Sequence, residues 1–524
     1  MSITFNLLDQ PWVPCITAMG DIQELSLRQA LVESHTVREV NGETPLVTAA
    51  LYRLLLAVVH RVIAPGDDTD VWDDLWSAGR PPADSLHAYL DAWQHRFDLF
   101  AHERPFYQHR HPKAKPKSVI SLVFDMSSGN NPTLFDHHSE DLGVSLSPAE
   151  AARALIAAQT FGLGGLSPVS GERFTDGPAA RGITFLVQGE TLWQTLLLNL
   201  IPYPVPYIMG TQQDRDRPAW ENPDPMHPET RTPYGYLDYL TWQNRRVLLL
   251  PEETEVGIVV RSMLLGPGLR LEGDLNDPLK HYRRPQSDSR GWVTLRFVEQ
   301  RALWRDSASL LTYTRGLLAD QKQYNPPEAI GWLHWLLEEK VRGIQAHHTM
   351  RLLGLGMAND QAKVEFHRRE ELPLPLAYLQ EQNLVSHLQQ AIGEAEDAGR
   401  QLFGALSTLA VEMLFHKQEQ RLSGPAKIER NNLIASWGVE RLYWADLELP
   451  FHSLITDLPH DDQPARRAWA LTVRKAAWRA LDAAIAAVGE DPPALKAAVL
   501  ARGQLGGGLH KVLQHWFPRE PEEV

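Results

Sequence analysis

The chain has 524 residues, 43% of them hydrophobic, and a single cysteine, Cys15, so it is long enough for roughly two to four domains but excludes a disulfide framework and a multi-cysteine zinc site. Its formal net charge of −14 argues against a free-standing, non-specific nucleic-acid binder, so nucleic-acid binding would require local basic patches or partner subunits. No apolar run approaches the ~18 residues of a membrane span and the N-terminus lacks a signal sequence, so we expect a cytoplasmic protein that does not enter a membrane.

Two helices are predicted near the N-terminus, over residues 27–32 and 44–63. In the second, Leu51, Leu55 and Val58 recur at helical spacing. This periodicity is typical of a helix that buries one face, so we assign these residues to the core.

A cationic segment follows, from His109 to Lys117. Prolines at positions 112 and 116 exclude a regular helix, so we predict an exposed loop. Two interpretations stay open, a solvated charged surface or contact with a nucleic-acid backbone. The candidate contacts are Lys113, Lys115 and Lys117.

Small polar residues with glycine and proline then predict a long loop from Phe124 to Asp141. Imidazole and carboxylate groups here could suit zinc or manganese. However, the adjacent His137 and His138 would point in different directions on a loop, and no H-x-x-x-H or H-E-x-x-H spacing is present. We therefore expect no metal site.

The stretch from 147 to 189 is the one around which the chain is organised. Ser147, Pro148 and Glu150 have the pattern of a capped helix start, and we expect that helix to end at Gly162 in the left-handed conformation. A loop of about 20 residues then precedes a strand at Ile183. Either it is a flexible surface loop, or its side-chain-free backbone approaches a partner closely and offers its N–H groups.

A second basic cluster spans Lys280 to Pro285 and precedes a strand at 292–297. Cations interleaved with an aromatic residue suit nucleic acid, although a solvated turn fits equally well. Further on, residues 354–363 predict a turn between two short extended runs, with Asn359 and Asp360 as turn formers.

A domain boundary is predicted at Leu372-Pro373-Leu374-Pro375, which gives domains 1–373 and 374–524. Beyond it, apolar residues recur every three or four positions, which predicts a four-helix bundle. We therefore expect an α+β fold, with a large mixed α/β N-terminal domain and a C-terminal four-helix bundle. One helix of the bundle has a basic face that includes Arg474 and Lys475.

Several short motifs occur along the chain in a characteristic order. They are Asn6-Leu7-Leu8 with Trp12-Val13-Pro14, Glu103-Arg104-Pro105-Phe106 with Gln108, the glycines of 162–165, Gly182 with the strand from Thr184 to Gly189, Trp242-Gln243, and Asn359 to Ala362. In this order they resemble the CasA (Cse) family, the large subunit of the type I-E CRISPR surveillance complex, Cascade. The resemblance covers the whole chain, including the terminal bundle.

The resemblance implies a non-catalytic subunit without cofactors. Such proteins recognise a short protospacer-adjacent motif in double-stranded DNA, mainly from the minor groove, and help to open the duplex so that the guide RNA can pair. They then recruit the helicase–nuclease that destroys the target. The implied partners are the backbone, small and handle-binding Cascade subunits, the CRISPR guide RNA, double-stranded target DNA and the helicase–nuclease.

The resemblance also implies site residues. Motif reading falls to a glycine loop, a basic side chain, and a hairpin whose glutamine acts as a wedge. These correspond to Gly162, Gly164 and Gly165, to Arg283 or Arg284, and to Asn359, Asp360, Gln361 and Ala362. The segment that contacts the 5′ handle of the guide RNA and the neighbouring subunits corresponds to Phe124, Ser128, Gly129, Asn130 and Asn131. Candidate contacts to the nucleic-acid backbone are Lys113, Lys115, Lys117, Arg474 and Lys475.

Two departures from the family pattern are visible. The basic reader of the family is often a lysine, whereas this chain has Arg283 and Arg284, and either one could align with it. The stretch 251–272 lacks the cysteine cluster of some members, so no zinc is expected.

Two other functional classes stay open. One is a helical scaffold with no nucleic-acid role. The other is a metal-dependent nuclease or hydrolase, which would be built on Glu103, His109, His111, Asp136 and His137.

Overall fold

A computed structural model describes residues 3–64, 66, 68–124, 144–202, 214–223, 226–273, 275–285, 291–312, 323–360, 363–415 and 422–517. Its helices are α1 (Leu27–Val32), α2 (Pro45–Ile63), α3 (Thr69–Ala78), α4 (Ala83–Trp93), α5 (Pro148–Phe161), α6 (Leu192–Leu198), α7 (Tyr236–Leu240), α8 (Ser307–Leu311), α9 (Glu328–Glu338), α10 (Gln382–Phe415), α11 (Gly424–Trp437), α12 (Val439–Asp457), α13 (Asp462–Val488) and α14 (Pro492–Leu513).

Its strands are β1 (Val13–Thr17), β2 (Ile22–Leu25), β3 (Val37–Val40), β4 (Lys117–Ser118), β5 (Gly165–Leu166), β6 (Arg173–Phe174), β7 (Ile183–Gln188), β8 (Thr230–Arg231), β9 (Arg245–Thr254), β10 (Gly257–Pro267), β11 (Arg270–Leu271), β12 (Tyr282–Arg283), β13 (Val293–Thr294), β14 (Tyr324–Asn325), β15 (Thr349–Asp360) and β16 (Lys363–Pro375).

The chain divides into two compact units. The first comprises Met1–Glu299 and Tyr313–Glu371, and the second comprises Gln300–Thr312 and Leu372–Val524. The segment Gln300–Thr312 therefore belongs to the helical unit, although it precedes the predicted boundary by about 60 residues.

The predicted helix over 44–63 is confirmed as α2, with Thr44 as its N-cap. By length and composition α2 could cross a membrane, which contradicts our expectation that no run in the chain approaches such a span. Within the protein, however, 83% of its most apolar window is buried. This degree of burial is that of a core helix, because its apolar surface is already covered by other parts of the first unit.

The strands of the first unit form several small sheets. In one of them β15 lies between β7 and β16, and β7 pairs antiparallel with β15 from Gln188 opposite Arg351 to Ile183 opposite Gly356. All six residues of β7 are buried, as expected for a strand covered on both faces. In two others β10 lies between β9 and β4, and β12 lies between β13 and β14.

The expected turn over 354–363 is wrong in its extent. Residues 349–360 form the long strand β15, and Asn359 and Asp360 are its last two residues rather than turn positions. The strand begins again at Lys363, and Leu372 and Leu374 of the predicted boundary continue β16 with buried side chains. The continuous burial of residues 352–357 in β15, and of Leu372 and Leu374 in β16, outweighs the weak β-propensity of glycine and proline here.

The second unit confirms the predicted fold class, in which a mixed α/β domain is followed by a helical bundle. Helix α10 packs against α13 and α14, α12 packs against α13, and the shorter α11 lies beside them. Trp304, from the segment 300–312, stacks on Phe451 with 4.6 Å between ring centroids and meets Trp469 edge-on at 5.9 Å. This aromatic contact explains why the segment belongs to the bundle.

Candidate nucleic-acid interface

The glycine loop begins at the end of α5. Ser147 caps this helix with a reciprocal capping box, because Glu150 N–H donates to Ser147 Oγ at 3.3 Å and Ser147 N–H donates to Glu150 Oε2 at 2.7 Å. The predicted helix start and end are confirmed. The predicted left-handed cap is wrong, since Gly162 has φ −51° and ψ 127°.

Gly162 is required for close packing rather than for an unusual backbone conformation. A Cβ atom at this position would lie 2.7 Å from the Ala158 carbonyl oxygen and 2.7 Å from a guanidinium nitrogen of Arg245. Both distances are below any ordinary contact. A residue without a side chain is therefore needed at position 162, because the chain packs closely against Arg245 where it leaves the helix.

The loop itself is more ordered than the sequence suggested. It contains an antiparallel β5–β6 pair, in which Gly165 lies opposite Phe174. Gly164 N–H donates to Asp176 Oδ1 at 2.7 Å, so this N–H is occupied within the protein rather than offered to a partner. Gly164 and Gly165 are half-buried, whereas Leu166 at the outer end of β5 is 74% exposed. We define this β5–β6 segment, residues 165–174, as the glycine hairpin.

Arg245, at the start of β9, holds the base of the loop and was not identified from the sequence. Its buried guanidinium donates to the carbonyl oxygens of Leu163 at 2.7 Å and Thr175 at 2.9 Å, one on each side of the glycine hairpin. Burial lowers the pKa of Arg245 to about 9. Its position two residues after the Trp242-Gln243 motif was the sequence signal that could have found it.

The basic cluster at 280–285 has one inward and one outward half. Arg53 of α2 forms a buried ion pair with Asp277 at 3.0 Å, and Lys280 Nζ donates to the Pro178 carbonyl oxygen at 2.8 Å. Burial opposes ionisation of Asp277, but Arg53 and Lys280 hold its pKa below the usual value. Lys280 is therefore a structural residue, and the expectation of a fully solvated or DNA-facing cluster is wrong for this half.

Arg283 and Arg284 differ in their surroundings. Arg283 ends the central strand β12 and is exposed, whereas the guanidinium of Arg284 lies 4.9 Å from the ring centroid of Trp292. The Arg284 backbone N–H donates to the Gln323 carbonyl oxygen at 2.9 Å. A side chain on an aromatic face is less available to a partner, so Arg283 is the more accessible of the two arginines, and which of them reads the motif stays a prediction.

The predicted wedge lies beyond the end of β15. Asn359 and Asp360 close that strand, while Gln361 and Ala362 lie outside the described residues, so their assignment stays a prediction.

These elements converge at the first residues of β7. Gly182, with φ +85°, ends the glycine loop, and a Cβ there would lie 2.9 Å from Thr294 Cβ. Ile183 N–H donates to the Leu295 carbonyl oxygen at 3.0 Å and Ile183 pairs with Gly356 of β15. Thr294 belongs to β13, the strand next to Arg283. The end of the glycine loop, the strand β13 that pairs with β12, and the strand β15 that leads to Gln361 thus meet around one short backbone segment.

The cationic segment lies beside the glycine hairpin. His111 Nε2 is 3.1 Å from Glu172 Oε2, and Lys113 N–H donates to His111 Nδ1 at 3.1 Å. Lys113 and Lys115 are exposed, whereas Lys117 is half-buried in β4. His109 and His111 have partners within the protein, so the exposed cations of the segment are Arg110, Lys113 and Lys115.

The remaining predicted contacts are not part of this convergence. Arg474 and Lys475 are exposed on α13 of the second unit, and the Arg474 guanidinium lies 5.5 Å from the Phe517 ring centroid. Of the loop predicted to contact the RNA handle, Phe124 is described as a turn residue. Ser128, Gly129, Asn130 and Asn131 lie outside the described residues.

The metal-dependent alternative receives no support from the residues that the structure describes. His109 Nε2 bonds to Gln243 Oε1 at 2.8 Å while His111 bonds to Glu172, so the two imidazoles have separate partners. No group of three potential ligands from His, Cys, Asp and Glu comes together within the described ranges. Asp136 and His137 lie outside them.

Comparisons with known proteins agree with this architecture. The family model for CRISPR-associated protein Cse1 matches residues 6–480. A CRISPR-associated protein CasA/Cse1 of Thermus thermophilus is 35% identical over 511 residues, which cover 95% of this chain and 96% of that protein. The crystal structure of Cse1 from Acidimicrobium ferrooxidans matches with a TM-score of 0.80 and 27% identity, over 99% of this chain and 100% of that chain.

A chain from a solved CRISPR RNA-guided surveillance complex, 24% identical, has the same fold, with a TM-score of 0.75 over 96% of this chain and 99% of that chain. The family match along nearly the whole length, together with the identity to the Thermus protein, confirms the resemblance identified in the sequence: the chain belongs to the CRISPR-associated protein Cse1 family.

Proposed function

We propose that this chain is the large subunit of a cytoplasmic type I-E CRISPR surveillance complex. In that complex it would recognise the short motif beside the target in double-stranded DNA and start the opening of the duplex. Membership of the Cse1 family supports this assignment, and a chain of a solved RNA-guided surveillance complex shares the fold. The observation that carries it is the meeting of the glycine loop, β13 and β15 at the start of β7, with β13 paired to the strand β12 that carries Arg283.

The chemistry of these elements suits a minor-groove reader. The minor groove presents a degenerate pattern of donors and acceptors, so a reader built from backbone and one cation accepts several motifs. Gly164, directly before the glycine hairpin, and Gly165, its first residue, add no side-chain bulk, and Arg283 supplies an exposed cation on β12. Sequence recognition itself then falls to base pairing with the guide RNA.

Duplex opening requires a wedge as well as a reader. Gln361, directly after the end of β15, is the proposed wedge, with Asn359, Asp360 and Ala362 beside it. Unstacking costs a few kcal/mol per step, which contacts to the separated strands offset. The exchange of a DNA duplex for an RNA–DNA heteroduplex is nearly balanced in free energy. A wedge that lowers the free-energy cost of separating the first base pairs is therefore sufficient to start it.

The acidic charge of the chain fits a subunit that works among partners. With a net charge of −14, a general attraction to DNA is excluded, and the positive field must come from local cations and neighbouring subunits. The proposed partners are the other Cascade subunits, the guide RNA, the target DNA and the helicase–nuclease. DNA cleavage is assigned to that nuclease rather than to this chain.

The test is reconstitution of the complex with and without this chain, followed by binding to a library of duplexes with a randomised motif. We expect the wild-type chain to enrich a limited set of motifs, and the Gly164→Val/Gly165→Val variant to lose that enrichment while the complex still assembles. The matched control is Gly393→Val/Gly503→Val, because both of these helical glycines have open space where a Cβ would be. Unchanged motif selection by the hairpin variant, or by the complex that lacks this chain, would refute the assignment.

A further inference from the structure

A polar cleft in the first unit lies apart from the residues proposed to read the motif. It has a volume of about 480 Å³ and is lined by 23 residues from the segments 96–109, 215–241 and 243–269. Its walls contain four half-buried arginines, Arg96, Arg104, Arg217 and Arg231, with His109 and Gln243 beside them. None of these residues belongs to the glycine hairpin, to β12 or to β15.

Within the described ranges Arg96, Arg104 and Arg217 lack a carboxylate partner, whereas Arg231 of the same cleft pairs with Asp238 and Glu229. Arg96 and Arg104 both donate to one backbone oxygen, that of Asn222, at 3.3 Å and 3.4 Å. Arg217 donates to the backbone oxygen of Asp214 at 3.1 Å. Within the described ranges none of the three forms an ion pair, in contrast to Arg53, which pairs with Asp277 at 3.0 Å.

Two guanidinium groups that share a single neutral acceptor repel each other. In agreement, burial and the neighbouring Arg104 lower the pKa of Arg96. Burial also lowers the pKa of His109 to about 4, and Arg104 and Arg96 add to that shift. The lining also contains three carboxylate residues, Glu103, Glu229 and Asp238, against five arginines, so the cleft keeps an excess of two positive charges, and a bound anion would relieve the repulsion between Arg96 and Arg104.

We propose that this cleft binds phosphate groups of single-stranded nucleic acid. Guanidinium groups match phosphate oxygens through paired hydrogen bonds, and two adjacent forks can hold one phosphate from two sides. The volume suits a nucleotide or two, whereas a duplex is too wide to enter. His109 and Gln243 supply polar edges where a base or ribose would lie. The choice of nucleic acid rather than another anion rests on the proposed function.

The experiment uses the purified full-length chain and a fluorescein-labelled single-stranded RNA octamer, with a single-stranded DNA octamer of the same sequence as the second probe. Anisotropy is measured over a series of salt concentrations. We expect Arg96→Gln/Arg104→Gln to weaken RNA binding about tenfold and to reduce the slope of log K against log salt by about 0.7, since the two arginines hold one phosphate and each phosphate contact on a single strand contributes about 0.7.

Two further variants separate the site from general effects. Arg38→Gln/Arg80→Gln removes the same charge from exposed positions outside the cleft and is expected to leave the slope unchanged. Arg96→Lys/Arg104→Lys keeps the charge and is expected to retain most of the slope while losing part of the affinity, because a lysine cannot form the paired bonds. Thermal melts confirm that each variant is folded.

Several outcomes would overturn the proposal. The first is an equal loss of RNA affinity in Arg96→Gln/Arg104→Gln and in the control Arg38→Gln/Arg80→Gln, and the second is unchanged RNA binding by Arg96→Gln/Arg104→Gln. The third is displacement of the labelled RNA by an oligoglutamate peptide but not by unlabelled RNA. The last result would assign the cleft to an acidic protein segment. Preference for the RNA or the DNA octamer identifies which strand the site takes. The octamers contain neither a duplex nor the motif, so a negative result for the cleft does not bear on motif reading. Likewise, a negative result in the motif-library experiment does not bear on binding of single strands by the cleft.

Discussion

The packing around the glycine loop predicts that Gly162 and Gly164 respond differently to the same substitution. Alanine at Gly162 would place its Cβ 2.7 Å from both the Ala158 carbonyl oxygen and the Arg245 guanidinium. Alanine at Gly164 would meet Asp176 Oδ1 at 3.2 Å, and that atom is at the end of a side chain that can move. The two substitutions add the same methyl group, so the comparison isolates packing.

The magnitudes follow from the two environments. Overpacking in a fixed site costs about 1–3 kcal/mol, whereas replacing glycine stabilises by about 0.4–1 kcal/mol through the unfolded chain. Gly162→Ala is therefore expected to lower the free energy of unfolding by about 1–2 kcal/mol. Gly164→Ala is expected to leave it within about 0.5 kcal/mol of the wild type.

The assay is urea unfolding followed by tryptophan fluorescence, in which a lower midpoint at constant slope reports lost stability. Gly393→Ala is the control, because this glycine lies inside α10 with open space at its Cβ position and its replacement should stabilise the protein by roughly 0.5–1 kcal/mol. Displacement of Arg245 should also weaken motif binding by the complex in Gly162→Ala. If Gly162→Ala and Gly164→Ala have the same stability, the packing argument is wrong.

Three further predictions concern the reader, the wedge and pH. Arg283→Gln should weaken binding of the preferred motif by about 1–3 kcal/mol in the assembled complex while Arg284→Gln has a smaller effect, and a uniform loss across all motifs would mean phosphate contact instead. Gln361→Ala should slow guide pairing on fully paired DNA and matter far less on a target already mismatched beside the motif; an equal defect on both targets would assign Gln361 to motif reading. Burial holds the pKa of His109 at about 4 and that of His281 at about 3, below the ordinary value of about 6.5, so their contribution to stability is complete above pH 6.5 and is lost as the pH falls toward those values. Each histidine should lower the free energy of unfolding by roughly 2 kcal/mol at pH 5, and thermal melts between pH 7 and pH 5 would measure this loss. A His281→Gln variant whose stability has the same pH dependence as the wild type would contradict the buried, neutral state of His281.

Local rules accounted for much of the chain. The start of α5 was predicted from Ser147, Pro148 and Glu150, because a capping box depends only on residues three positions apart. The helix α2 and the helical bundle were predicted from apolar spacing, since one turn of helix brings such residues to the same face. The order of short motifs along the chain identified the family.

Where a local sequence pattern was compatible with more than one environment, the tertiary structure determined which environment the residue has. Lys280 and Arg283 look alike in the sequence, but Lys280 is buried against the Pro178 carbonyl oxygen and Arg283 is exposed. Residues 300–312 precede the predicted boundary, yet Trp304 stacks on Phe451 within the bundle. In both cases the outcome depends on which distant side chains surround the residue.

The glycine loop shows the physical reason most clearly. From the sequence, Gly162 was expected to supply a left-handed turn, a property of a single residue. In the structure it makes room for Arg245, whose guanidinium donates a hydrogen bond to the Leu163 carbonyl oxygen, 82 positions away in the sequence. A close approach between distant segments, and the burial of a charge against backbone carbonyls, depend on the folded arrangement and leave no periodic or neighbouring signal in the sequence.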